Sequence, residues 1–189
     1  NTLEDHPSTA SYSQGEDYEN YTEDIFVGYR YFETFAPEKV AYPFGFGLGY
    51  TEFKVKTVSA VLEKNTVKLE ISVENTGSRP GKEVVQLYLQ APQGKLGKAA
   101  RVLVGFAKTG KLEPGASETV EISFGLDRIA SFDDVGAVAA NAYVLEAGSY
   151  VLRLGRHSRD TVAVGVLTLS EEVIVSRHEA ICPLQTPFE

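Results

Sequence analysis

VKLEISVENTGSRPGKEVVQLYLQ, residues 67–90, decides the fold. Val67, Leu69, Ile71 and Val73 fall on one side of an extended chain and Lys68, Glu70, Ser72 and Glu74 on the other, the period of two that marks a half-buried strand. Asn75-Thr76-Gly77 and Pro80-Gly81 follow, residue types that tolerate positive φ or fix φ near −65° and so let the chain reverse. In the second run, Glu83 to Gln90, Val85, Leu87 and Leu89 can share the first strand's core. Val84 and Tyr88 place apolar surface on the opposite face, which calls for a cover that a free-standing sheet lacks.

Strand signals continue on both sides of this pair. Phe53 to Leu62, Val67 to Glu74, Glu83 to Gln90, Arg101 to Lys108, Ser117 to Gly125, Ser149 to Gly155 and Asp160 to Leu169 each read as a strand. Turn residues at Pro80-Gly81, Leu112-Glu113-Pro114-Gly115 and Glu146-Ala147-Gly148 punctuate them. Short strands at this spacing, with no convincing helix, predict a mainly β fold: an antiparallel sandwich of fibronectin type III or immunoglobulin kind over residues 53–170. Asp133 to Asn141 reads as a small-residue loop, and residues 171–189, with Pro183 and Pro187, as a tail or linker.

Upstream the character changes. Residues 1–24 are rich in Ser, Thr, Tyr and acids and show neither period, which predicts a loop. Ile25 to Phe32 is a compact apolar and aromatic run that reads as a buried strand without a nearby partner. Tyr42-Pro43-Phe44-Gly45-Phe46-Gly47-Leu48-Gly49-Tyr50 interleaves glycine with large apolar side chains, and residues 42–52 are expected to be an extended connector whose rings plug into a neighbouring surface. Burying four such rings is worth on the order of 15 to 25 kcal/mol before entropy is charged. The connector is therefore expected to be clamped.

The net charge of −8 argues against a nucleic-acid partner, since no basic patch is present to displace counterions from phosphates. No apolar run approaches the roughly 18 residues of a membrane span, so no membrane is expected. Cys182 is the only cysteine, which excludes an internal disulfide and favours a reducing, cytoplasmic compartment. No cofactor and no metal site is expected. Asn20-Tyr21-Thr22 matches a glycosylation acceptor, a pattern short enough to arise by chance.

Three pieces taken together carry a family resemblance: Tyr21-Thr22-Glu23-Asp24-Ile25-Phe26-Val27-Gly28-Tyr29-Arg30-Tyr31-Phe32, the connector Tyr42 to Thr51, and the strands with Val73-Glu74-Asn75-Thr76-Gly77, Glu83 to Tyr88 and Leu103-Val104-Gly105-Phe106. In this order and spacing the chain resembles the C-terminal region of glycoside hydrolase family 3, the β-glucosidase family. Asp24 stands where that family usually has glycine. The resemblance implies that residues 1–41 form the terminal segment of an α/β sandwich domain, followed by the connector and a fibronectin type III-like domain. It also implies that the nucleophilic aspartate and the acid/base glutamate lie outside these residues, in barrel and α/β domains that would be the chain's partners. The tail is similar to the linker by which some members run into the barrel, with the domain order permuted. A retaining glycosidase needs two carboxyl groups about 5 to 5.5 Å apart, and the sequence offers no such pair.

The expected role is thus a non-catalytic structural portion of a retaining β-glycosidase acting on a β-glucoside or oligosaccharide. A β-xylosidase of the same family and a stand-alone carbohydrate- or protein-binding module remain as alternatives, because fold does not dictate function. Candidates for a place beside substrate are Asp17 and Glu19 in the acidic run, and Tyr29 and Arg30, which offer an aromatic face and a fork of donors. The plainer readings are a solvated acidic loop and an Arg30 paired with an acid of another domain. His6, His157 and His178 are read as surface residues. Lys95, Lys98 and Arg101 are read as a solvated basic hairpin.

Overall fold

The computed structural model describes residues 2–12, 17, 19 and 21–181. Asn20, Cys182, Pro183 and Pro187 lie outside the described residues, as do Glu16 and Tyr18 of the acidic run.

Two antiparallel sheets face each other. One contains β1 (Phe53–Glu63), β2 (Thr66–Asn75) and β5 (Ser117–Gly125), in the order β1-β2-β5. The other contains β3 (Val84–Gln90), β4 (Val102–Lys108), β8 (Gly148–His157) and β9 (Asp160–Leu169), in the order β4-β3-β8-β9. The period-two residues of β2 form the core from one side, with Leu69, Ile71 and Val73 fully buried; Leu87, Tyr150, Leu152 and Leu154 meet them from the other. This is the expected sandwich, and the seven expected strands fall within a few residues of their predicted ends.

The reversal between β2 and β3 carries the chain from one sheet to the other. Glycine with positive φ is not what turns it, since neither Gly77 nor Gly81 adopts that conformation. The device is the buried Asn75 side chain. Its amide donates to the Arg79 carbonyl at 2.7 Å and the Leu112 carbonyl at 2.9 Å. Its oxygen accepts from the Gly77 N–H at 3.1 Å and the Thr51 hydroxyl at 2.8 Å. All its hydrogen-bonding capacity is spent on fixing the turn. Gly77 is needed because a Cβ there would stand 2.2 Å from the Thr51 hydroxyl oxygen.

A third, small sheet was not foreseen. Its order is β10-β7-β6, built from β6 (Ser131–Asp133), β7 (Ala142–Leu145) and β10 (Val173–Arg177). The segment expected to be a tail therefore begins as a strand, with Val173 opposite Leu145 and Arg177 opposite Ala142. Residues 134–141 form a loop, as the small residues suggested, and it is pinned. The fully buried Asp133 carboxylate accepts backbone N–H bonds from Gly136, Ala137, Val138 and Ala139 at 2.6 to 3.0 Å.

Ile25 to Phe32 is not a strand. The chain turns through residues 22–25 and then forms a short helix, α1 (Tyr29–Phe35), whose N-cap Gly28 sits at φ +59. Pro37 ends it, because the residue before a proline avoids helical geometry. β propensity of the aromatic residues loses here to tertiary contact: Tyr29 and Glu33, four apart and so on one helix face, both reach the sandwich.

Leu69→Ala and Leu87→Ala, at fully buried positions, should each cost about 2 to 5 kcal/mol in equilibrium urea unfolding. A loss near zero for either would contradict the core described.

Candidate functional site: a strapped sheet face and an adjoining cavity

The outer face of β3 is as dry as its inner face. Gln86 is 7% exposed and Tyr88 is fully buried, so β3 has two buried sides. The cover is the connector. Tyr88 Oη donates its one proton to Gln86 Oε1 at 2.6 Å, with the Phe44 carbonyl as a weaker second acceptor at 3.3 Å. Gln86 Nε2 donates to the Gly45 carbonyl at 3.0 Å and to the Arg156 carbonyl. The polar atoms that burial would otherwise strand are thereby satisfied, by each other and by backbone carbonyls. Burial pushes the Tyr88 hydroxyl well above the ordinary phenol pKa, so it remains a donor. Gly45 is required twice over: its φ is +83, and a Cβ would fall 2.0 Å from Gln86 Oε1.

Helix α1 is fastened over the same face. The Tyr29 ring stacks on Phe44 at 4.1 Å between centroids and 12° between planes, while its hydroxyl accepts from the Leu103 N–H at 2.9 Å. The Thr34 hydroxyl accepts from the Ala100 N–H at 2.9 Å. Glu33, with its side chain 6% exposed, accepts from Arg159 Nε at 2.9 Å and from the Ser158 hydroxyl at 3.2 Å. Arg159 also donates to the Pro37 carbonyl at 2.7 Å.

The outward side of this strap is apolar and open. Tyr42, Leu48 and Tyr50 are mostly exposed; Phe44 and Phe46 are 42% and 41% exposed. Of the four rings expected to be buried, Phe44 and Phe46 are more than half covered within the chain and Tyr42 and Tyr50 are not. Glu23 holds one buried carboxylate oxygen with no hydrogen-bond partner among the described residues.

Beside the strap lies a cavity of about 590 Å³, bounded by residues 24, 25 and 30, the β3–β4 loop, and β6 and β7. The basic run that seemed solvated forms one wall of it and is held from inside. The Lys98 ammonium is buried and paired with buried Glu146, whose carboxylate also accepts from the Lys95 N–H at 2.5 Å and the Leu96 N–H at 3.3 Å. Burial raises the Glu146 carboxyl, but the Lys98 ammonium and the two amides outweigh it and hold the group below the usual carboxylate range. Asp133 behaves likewise, its four amide donors outweighing the cost of burial. Lys95 pairs with Glu172 at 2.8 Å, and Arg101 donates to the Ser158 carbonyl. None of the three is simply solvated.

Of the four substrate-adjacent candidates, Arg30 lines the cavity, whereas Tyr29, Asp17 and Glu19 do not. Tyr29 spends one ring face and its hydroxyl within the strap. Asp17 and Glu19 are exposed. What sequence reasoning missed is the Lys98–Glu146 pair, whose partners stand 48 residues apart, and the Asp133 cradle. The only local signal was an aspartate followed by small residues able to offer their N–H groups.

The fold defines a fibronectin type III-like β-sandwich with an N-terminal strap, and residues 83–158 match the fibronectin type III-like domain family. Over nearly its whole length the chain is similar to β-glucosidase A of Butyrivibrio fibrisolvens, 47% identical over 93% of this chain and 23% of that protein. It is 44% identical to a β-glucosidase of Ruminococcus albus over 99% of this chain and 20% of that one. Its structure matches a β-glucosidase of Paenibacillus barengoltzii with a TM-score of 0.90 at 45% identity, covering 94% of this chain and 20% of that one. β-Glucosidase 3B of Thermotoga neapolitana, solved with α-D-glucose, gives 0.79 at 38% identity, over 90% of this chain and 23% of that one. The chain belongs to glycoside hydrolase family 3, as the part that carries the fibronectin type III-like domain. It spans about a fifth of the length of the relatives it matches.

Lys98→Ala should destabilise the chain by about 3 to 5 kcal/mol in urea unfolding, because it leaves the Glu146 carboxylate buried without its counter-charge. Gly45→Ala should cost about 1 to 3 kcal/mol through strain and displacement of Gln86. Asp133 and Glu146 have folded pKa values below their unfolded ones. Their stabilisation should therefore be complete above the ordinary carboxylate pKa near 4 and lost as pH falls through the lower folded values. Melting temperatures followed across acid pH test this, and Asp133→Asn should flatten the slope.

Proposed function

We propose that the chain is a non-catalytic structural portion of a retaining β-glucosidase. In this reading residues 1–41 complete an α/β domain, and the sandwich holds that domain in place through the connector 42–52. The observation that carries it is the two-sided connector. One side is consumed by Gln86, Tyr88 and Tyr29, while the other leaves Tyr42, Leu48 and Tyr50 in solvent. Contiguous apolar surface of this kind marks an interface. The unpartnered Glu23 oxygen, in the turn before α1, is a second place among the described residues where a neighbouring polypeptide would supply a donor. The β-glucosidase activity named for the relatives favours glucosides over xylosides as substrate, and the strap argues against a stand-alone module, which has no use for an open aromatic face.

The pure 189-residue chain should release no nitrophenol from an aryl β-glucoside, whereas the full-length protein carrying it should turn the substrate over. Turnover by the chain alone that survives further purification would refute the structural role. In the full-length protein, Phe46→Ala should lower the melting temperature by several degrees, as expected for about 1 to 3 kcal/mol, with the preference for glucoside over xyloside unchanged. A changed preference at unchanged stability would place the connector in the sugar site instead.

A further inference from the structure

The cavity beside α1 is built more firmly than a surface gap requires. Two of its bounding segments are each held by a buried carboxylate: Glu146 fixes Lys95, Leu96 and Lys98 on one side, and Asp133, by fixing residues 136–139 behind them, anchors the lining residues Asp134 and Val135 on the other. Burying a carboxylate is costly unless every bond is supplied, and here both are fully supplied so that two loops hold still. Preorganised walls around a volume of about 590 Å³ are what a small-molecule site needs.

The charges on those walls specify the ligand. Lys98 is consumed by Glu146, and the Lys95 ammonium by Glu172. Arg30, Arg128, Asp24 and Asp134 remain, and none of them forms an ion pair with another described residue. Two positive and two negative groups leave the site neutral, yet rich in both donors and acceptors. An anionic ligand would meet two carboxylates. A hydrocarbon would offer these four groups no hydrogen-bonding partner. A neutral polyhydroxyl compound, whose hydroxyls both donate and accept, suits all four. Phe132 and Tyr143, 44% and 42% exposed with centroids 5.1 Å apart, add aromatic faces for the C–H side of a sugar ring.

We propose that this cavity is a binding site for a neutral oligosaccharide. The choice of a β-linked glucose oligomer as probe rests on the glycosidase reading; the polyhydroxyl chemistry stands without it.

The test is hydrogen exchange in the full-length protein, with and without a thio-linked cellotriose that cannot be hydrolysed. Backbone amides of the lining residues 95–98 and 134–135 should exchange about tenfold more slowly with the sugar at saturation. Tyr143→Ala and, at an exposed position, Arg128→Ala should each abolish that protection, while Tyr143→Phe keeps it. Protection elsewhere in the protein without any change in these two loops would overturn the proposal. So would no change anywhere, or protection of the loops by a glutamate-rich peptide and not by the sugar, which would make the cavity a dock for an acidic loop. Nitrophenol release by the same preparation judges the glycosidase reading independently.

Discussion

A β-strand buried on both faces must have its second face covered, and in this chain that requirement sets the arrangement of the connector and of the helix stacked on it. Tyr88 and Gln86 point away from the sandwich core and still exclude water. Their polar atoms would cost about 1 to 3 kcal/mol each if unpaired, and the connector's carbonyls at Phe44 and Gly45 supply the pairing. With the connector fixed, the Phe44 ring presents a surface on which Tyr29 stacks. Helix α1 follows. A seven-residue helix is too short to persist alone, so its existence reports its contacts with Leu103, Ala100 and Arg159.

The buried ionic groups work in the same direction at the other end of the sheet. Glu146 and Asp133 are not core decoration: each converts a loop of small and polar residues into a wall with one geometry. The arrangement concentrates ionic chemistry beside the cavity, away from the apolar cluster in which Leu69, Ile71, Val73 and Leu87 meet across the two sheets. The rigidity belongs to the scaffold, and the open aromatic face of the strap is where the chain meets its surroundings.

The sandwich was legible because period-two burial is a local property: β2 and β5 show it residue by residue. The apolar outer face of β3 was legible too, and it correctly demanded a cover. Helix α1 was not, since seven residues hold too few turns to display a period of 3.6, and Tyr and Phe favour strands when read alone. Gly28 before it and Pro37 after it were the available signals. β6, β7 and β10 were hidden because each is five residues or shorter, and the pairing of β10 with β7 joins residues far apart in the chain. For the same reason Lys98 looked solvated: its partner Glu146 sits beyond β5, where no spacing rule reaches.

The central claim is that the Gln86 amide, through the connector, holds α1 on the sheet. Native-state hydrogen exchange of the Gln86→Leu variant tests it most directly. The Phe32 and Ala36 amides of the helix should lose about tenfold or more of their protection, while the amides of Leu69 and Ile71 in β2 stay as slow as before. Unchanged protection at Phe32 and Ala36 would show that the helix stands without the connector, and would contradict the account.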